Sequence, residues 1–468
     1  MEAPSSKISA KTINSDKIID IRVSPNGYLA ALFLASFASG LLVYLEKDLT
    51  GMLIFGAGWI IIPLFAWSDR ITFDGRRLVR TGFLPQIWTK LGGSKYRLKI
   101  SDIEQVETQA LRALKRGGNV FYRYRTVLSG KGLRFVLASG GEDYRRMIHK
   151  IFPLLPENAL DNRSVELRDF LSEPKETLMK AEFAKIPSAE VLENSFGKLN
   201  GNDKKLRKAQ WDNKEISGEA IEKADYLHHL ANELRLSGYL LQALEAFRRA
   251  LFLNPKDARL IFDFARCLHS FAGAEGDENL TRKAFAALRL AEKRAENNPE
   301  MLSRLGESYF QYGKWRRAQA VFQKATGAAE EDFRSRRGLA EIALREGKIA
   351  YVIHHFSTAN RIADTSALKR WTQNESDYFA RLNQDGDYME LEVSRVNMLE
   401  GLERSKKTCL QIALLSFPAI IIGITLEENT MAEIGWAISS VALLVWVGVI
   451  VSLSIFSARI PLDFENEE

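Results

Sequence analysis

The stretch GYLLQALEAFRRALFLNP, residues 238–255, decides the reading of the middle of the chain. It opens on glycine, a residue suited to a tight turn, and closes on proline, which cannot continue a helix. Between them Ala243, Phe247 and Ala250 recur at helical spacing on one face. Two small residues bracketing an aromatic let a neighbouring helix approach closely while the ring fills the remaining gap. Such a face cannot be buried by one helix alone, so the stretch predicts half of a helical hairpin that stacks on others like it.

Upstream, taking Ala224 as the first position, Leu227, Leu230, Ala231 and Leu234 form the stripe of a first helix, and Gly238 is the turn. The same offsets return from Pro299 (Leu305, Gly306, Tyr309, Gly313, Ala318, Phe322, Ala325) and from Phe333 (Leu339, Ala340, Ala343, Gly347, Val352, Phe356, Ala359). The first and third copies lie two repeats plus seven residues apart. The middle copy has Ile261, Phe264, Ala265 and Leu268, then SFAGAEGDEN, read as a widened turn, before Ala284, Leu288 and Ala291. This 34-residue pattern resembles the tetratricopeptide repeat over roughly 224–364, followed by a polar-faced capping helix in TSALKRWTQNESDYFARL.

That resemblance implies an all-α solenoid whose inner face binds an extended peptide or partner helix. The matching positions are Asp225, His228, Asn232 and Arg235; Arg259, Phe262, Arg266 and His269; Glu300, Ser303, Glu307 and Phe310; and Arg334, Arg337 and Glu341. Their arginines and phenylalanines suit an acidic segment with an apolar anchor, because guanidinium grips carboxylate bidentately. A subclass of the family clamps the carboxylate end of chaperone tails. Asn232 and Arg304 match its pattern, and His228, Asp263 and Glu300 depart from it.

Apolar runs flank this region at both ends. YLAALFLASFASGLLVYL and GMLIFGAGWIIIPLFAW lie within residues 28–67, and TCLQIALLSFPAIIIGITL and IGWAISSVALLVWVGVIVSLSIF within 408–456. Each run is uncharged and near the roughly 20 residues a bilayer core requires. Basic residues sit outside both hairpins: Lys7, Lys11, Lys17 and Arg22; Arg70, Arg76, Arg77 and Arg80; Arg404, Lys406 and Lys407; and Arg459. The short connections EKDLT and EENTMAE are acidic or neutral. The positive-inside rule then places both termini and residues 68–407 in the cytoplasm, and the first run is read as a span rather than a cleaved signal.

After the second run the period switches to two. ITFDGRRLVRTGF holds Asp74–Gly75 between strand-like segments, and KYRLKISDIEQVE, NVFYRYRTVL and GLRFVLA follow before the amphipathic EDYRRMIHKIFPLL. Short strands closed by one helix predict a small β-barrel or sandwich. The order resembles the pleckstrin-homology-like domains of bacterial membrane proteins, carried by ITFDGRRLVRTGFLP and ISDIEQVE. Arg112, Lys115, Arg116, Arg123 and Arg125 form a basic patch interleaved with Phe121, Tyr122 and Tyr124, suited to anionic headgroups.

The formal charge of +6 over 468 residues is too small to imply nucleic acid. Two cysteines, Cys267 and Cys409, have no neighbours for a disulfide framework. No phosphate-cradling loop, zinc-protease motif or nucleophile elbow is present, and neither His228–His229 nor His354–His355 can chelate as a pair on a helix. No metal, cofactor or catalytic residue is therefore expected.

The organisation expected is a multidomain integral membrane protein. It comprises a cytoplasmic segment 1–27, a two-span hairpin 28–67, a pleckstrin-like β domain 68–155 that implies a bacterial inner membrane, a linker 156–215 with one or two short helices around 175–185, and a solenoid with its cap 216–385. An amphipathic connecting helix 386–407, a second two-span hairpin 408–456 and a cytoplasmic tail 457–468 complete it. The function expected is a membrane-anchored, non-enzymatic scaffold whose groove binds a protein or peptide. The rival is a transport or lipid-handling component, or an accessory subunit of a larger membrane complex. Uncharged spans weigh against an ion path.

Overall fold

The computed structural model describes residues 19–90, 96–113, 120–138, 142–196, 217–457 and 459. Two compact units divide the chain. The first combines Ile61–Glu346 and His355–Gln373 with the N-terminal stretch up to Leu29, and the second takes the rest.

In the first unit, β1 (Ile19–Arg22), β2 (Arg70–Phe73), β3 (Arg77–Thr81) and β4 (Arg97–Lys99) form one antiparallel sheet in that order. The connection between β1 and β2 carries helices α1 (Asn26–Tyr44) and α2 (Asp48–Ser68), and α3 (Phe83–Lys90) follows β3. At the β2–β3 turn Asp74 Oδ1 accepts the backbone N–H groups of Arg76 and Arg77 at 2.9 and 2.7 Å, the Asx geometry that Asp-Gly favours. A second antiparallel sheet orders β5 (Gln105–Ala113), β6 (Phe121–Gly130) and β7 (Leu133–Ala138). The sheets remain separate ladders among the described residues, so the expected closed barrel is not formed.

Alternation explains why the two sheets nevertheless share one core. Ile71, Phe73, Leu78 and Leu98 point inward from the first, and Val106, Leu128, Phe135 and Leu137 from the second. Helix α4 (Glu142–Ile151) adds Tyr144, Met147, Ile148 and Ile151, the set its 3.6-residue period places on one face.

The stretch expected as a linker with one or two short helices carries three: α5 (Asn162–Phe170), α6 (Pro174–Phe183), close to the expected 175–185, and α7 (Ala189–Phe196). Asp161 caps α5 by accepting the Ser164 N–H at 2.9 Å. Val165, Leu167 and Phe170 of α5 join the core of the sheets. A buried hydroxyl chain fixes this seat: Thr108 lies 2.7 Å from Ser164 and 3.2 Å from Thr126, which lies 2.7 Å from Tyr144.

The solenoid follows as antiparallel pairs: α8 (Gly218–Leu236) with α9 (Leu240–Leu253), α10 (Ala258–Glu275) with α11 (Glu278–Arg294), and α12 (Pro299–Gln311) with α13 (Trp315–Ala328). A fourth repeat holds α14 (Phe333–Arg345) and α15 (Ile349–Ile362). The first helices of repeats two to four thus begin at Ala258, Pro299 and Phe333, on the positions read from the sequence. The small and aromatic offsets Ala243, Phe247, Ala250, Ala318, Phe322, Ala325, Val352, Phe356 and Ala359 are all buried. At Gly306 and Gly338 an added Cβ would lie 2.5 and 2.4 Å from the Phe322 ring, so two neighbouring helices clasp that ring only because neither carries a side chain there.

The seven extra residues of the second repeat do not widen its turn. They lengthen the helices instead: α10 continues through buried Phe271 and Ala272 and stops at Gly276, whose φ is +71°. Asp277 then caps α11 at once through the N–H groups of Asn279 and Leu280. The apolar stripe persists past the usual turn position, and burial of that stripe outweighs the turn-like composition. The solenoid is closed by α16 (Ser366–Gln384), whose Leu368 packs with Phe333, Ala359 and Ala363.

In the second unit, α17 (Gly386–Thr425) is one continuous 40-residue helix covering both the expected connecting helix and the third apolar run. It pairs with α18 (Asn429–Phe456) by close approach of small residues: an added Cβ at Gly423 would meet Ala432 at 2.5 Å, and one at Gly435 would meet Ile420 at 2.8 Å. At the turn between α1 and α2 the Ser39 hydroxyl donates to Gly51 O at 2.7 Å. Helices α1, α2, α17 and α18 are each long and apolar enough to cross a bilayer. Large apolar side chains such as Leu49, Leu415 and Leu444 are left more than 70% exposed, a surface water would not tolerate in quantity.

Candidate functional site

Of the residues singled out by the repeat pattern, His228, Asn232, Arg235, Phe262, Arg266, Ser303, Glu307 and Arg334 are buried, and several of them are engaged by another part of the same chain. Helix α5 lies on the N-terminal half of the solenoid's inner face. Glu166, 3% exposed, sits between two arginines from consecutive repeats. Arg235 Nη2 donates to Glu166 Oε2 at 2.8 Å, and the Arg266 guanidinium pairs with Oε1. Arg266 also lies over the Phe262 ring, 5.2 Å from its centroid. The arginines grip a carboxylate, as their chemistry requires, but the carboxylate belongs to the same chain.

A second polar group supports this contact. His228 Nε2 lies 2.7 Å from Asp263 Oδ2, and Asn232 Nδ2 donates to the same oxygen at 3.1 Å. Burial alone would push the Asp263 carboxyl up. The His228 hydrogen bond, with the charges of His228, Arg235 and Arg304, outweighs it and holds the group down at about 2. Asp263 is thereby an internal strut between the first two repeats.

Further along, the cover thins. Asn162, at the start of α5, donates to Arg304 O at 3.2 Å and accepts from Arg334 Nη1 at 3.3 Å. Arg334 also reaches Glu307 at 3.2 Å and the Glu157 carbonyl at 2.9 Å. Arg337 pairs with Glu341 at 3.3 Å and more loosely with Glu307 at 3.8 Å. Beyond them a cavity of about 350 Å³ remains, lined by Glu307, Phe310, Arg334, Arg337 and Glu341 with Glu107 and Asp161 opposite. Burial pushes the Asp161 carboxyl up, against its hydrogen bonds from Ser164 and Thr108 and with Glu307 adding to the rise.

The other residues of the set fall as follows. Ser303 is buried and bonds the Glu300 carbonyl of its own helix, His269 stacks on Tyr312 at 3.9 Å, and Asp225, Arg259 and Glu300 are exposed. In the basic patch, Arg123 and Arg125 are exposed on β6. The Arg112 side chain, Lys115 and Arg116 lie outside the described residues. No group of three or more potential metal ligands occurs among the described residues.

Sequence reasoning missed Glu166, Asn162 and Asp161. Their stretch, DNRSVELRDF, is polar, and polarity reads as exposure. The available signal was the Asp161 cap set before Val165, Leu167 and Phe170. Also missed were the ties between the sheets and the first repeat. Val120 N–H donates to Gly238 O at 2.9 Å, the Tyr124 hydroxyl to Leu236 O, and a Cβ on Gly238 would strike Val120 O at 1.8 Å. The glycine that opens the second helix of the repeat is thus also the place where the sheet domain touches it.

No family model matches the sequence, and no curated protein matches it. Among solved structures the chain is similar to "Crystal structure of MamA", with a TM-score of 0.26 and 16% identity over 31% of this chain and 81% of that one. It is also similar to "MamA RS-1 ArsTM double mutant", with a TM-score of 0.25 and 15% identity over 39% and 94%. Overlap of this size leaves the fold to be read from the chain's own geometry.

Proposed function

We propose that this chain is a membrane-anchored, non-enzymatic scaffold in which the sheet domain and the solenoid act as one stiff platform for a protein partner. The observation that carries this reading is the double role of α5. Its Glu166 and Asn162 engage the inner face of the solenoid, while its Val165, Leu167 and Phe170 complete the core of the sheets. Withdrawing α5 would expose three core side chains at roughly 1.5–3 kcal/mol each and leave two buried arginines unpaired. An incoming peptide would have to supply all of that. The inner face is therefore read as structural on its N-terminal half, with partner contacts falling on other surfaces of the platform.

Four long apolar helices support anchoring in a bilayer, and the basic flanks favour an orientation with the platform on the cytoplasmic side. The reading gives the sheet domain a pleckstrin-homology-like role at the membrane without a closed barrel, with exposed Arg123 and Arg125 as its lipid-facing charges. The test is cross-linking in intact cells followed by alkaline extraction of the membranes. The reading expects the chain in the membrane pellet and a protein cross-linked within residues 68–385. A chain released by alkali, or cross-links confined to the apolar helices, would contradict it.

A further inference from the structure

One cleft on the platform has cations and no acid. It holds about 610 Å³ and is lined by Arg76 and Arg77 at the β2–β3 turn, Lys99 at the end of β4, and a floor including Ile100, Ile103 and Leu154. Arg77 and Lys99 stand directly opposite each other in the β3–β4 ladder. Like charges at paired positions destabilise a sheet, and Arg76 adds a third beside them. None of the three makes an ion pair among the described residues.

The nearby carboxylates are otherwise engaged. Asp74 accepts the backbone N–H groups of Arg76 and Arg77, which together with the Arg77 charge hold its carboxyl below the usual range. Asp102 pairs with Lys131 at 2.9 Å, and Glu104 with Arg370 at 2.9 Å. Three cations thus face one nearby carboxylate, which leaves a net positive cluster at the rim of an apolar floor.

We propose that this cleft docks an acidic, extended segment of a protein partner, with carboxylates on Arg76, Arg77 and Lys99 and one aliphatic side chain on Ile100, Ile103 and Leu154. The apolar floor beside the cations favours a protein segment, which brings carboxylates and an aliphatic side chain together, over a lipid headgroup. The proposal rests on the scaffold reading and names where its partner binds. The two fail separately, since partner cross-links elsewhere on residues 68–385 would keep the scaffold and discard the cleft.

The experiment uses the full chain in neutral detergent micelles. The probe is a fluorescein-labelled ten-residue peptide of aspartate and glutamate around a central leucine pair, read by anisotropy. Expected is saturable binding that weakens at least tenfold in Arg76→Glu/Arg77→Glu and several-fold in Lys99→Glu. It should also weaken several-fold when the leucines become serines and when salt rises from 50 to 300 mM. Arg282→Glu/Lys283→Glu, on an exposed helix face away from the cleft lining, should bind as wild type, and circular dichroism should show every variant folded. Absence of binding, or equal binding by both cleft variants, overturns the proposal. So does displacement by dihexanoyl phosphatidylglycerol at lower concentration than by unlabelled peptide, which would assign the cleft to a headgroup.

Discussion

The two halves of the solenoid's inner face carry similar residues and end in different states. In the N-terminal half Arg235 and Arg266 close on Glu166, and His228 and Asn232 share Asp263, so these six side chains are buried against one another. In the C-terminal half Arg334, Arg337, Glu307 and Glu341 pair around a cavity of about 350 Å³. Position along the repeat sets the chemistry of a residue. What the residue binds is set by which other part of the chain lies across from it: α5 brings the Glu166 carboxylate to the first half and only the Asn162 amide to the second.

The largest expected effect separates the halves directly. Glu166→Ala strips two buried guanidinium groups of their shared partner, and removing one side of a buried pair costs about 3–5 kcal/mol. Chemical denaturation of the purified chain should show that loss. Combining Glu166→Leu with Arg266→Met should recover part of it, because an apolar replacement leaves fewer charges unpaired.

Next in size is Gly338→Val, which drives a branched side chain into the Phe322 ring clasped between repeats three and four. Overpacking of this kind costs about 1–3 kcal/mol. Hydrogen exchange should accelerate in α12–α14 while α8–α10 stays protected. Equal acceleration in both would mean that the halves are one cooperative block.

Acidity should move the halves in opposite directions. Asp263 is held at about 2, below its unfolded value near 3.9, so its contribution is present above about pH 4 and lost as pH falls toward 2. Asp161 is shifted the other way. Its contribution is complete below the unfolded value and is lost as pH rises through the raised folded value. From neutrality to about pH 4 the cavity side should tighten, and below that the Asp263 side should loosen, as read by local exchange rates. The smallest effect belongs to Asp161→Asn, which keeps the cap of α5. It should alter stability by less than about 1 kcal/mol while weakening the cavity side's response to pH, the remainder coming from Glu341, which burial also pushes up.

The helical hairpins and the four apolar helices were legible because their signal is periodic. The offsets from Ala224, Pro299 and Phe333 report burial that each repeat must satisfy with its neighbour. The turn at Asp74–Gly75 was equally legible, since its geometry is local. Sheet closure was not, because strand patterns report an inner face and say nothing of whether the last strand meets the first. The cover on the inner face was hidden for a related reason. Glu166 looks solvated in sequence, and only the fold reveals that two arginines 69 and 100 residues later remove it from water.

The central claim is that α5 is a fixed part of the inner face, and hydrogen exchange over residues 163–170 in the full chain tests it most directly. The account predicts amides exchanging as slowly as those of α8 and α10, and released together with them in Glu166→Ala. Rapid exchange of α5 while α8 and α10 remain protected would contradict it, and would return the inner face to the role of an open groove.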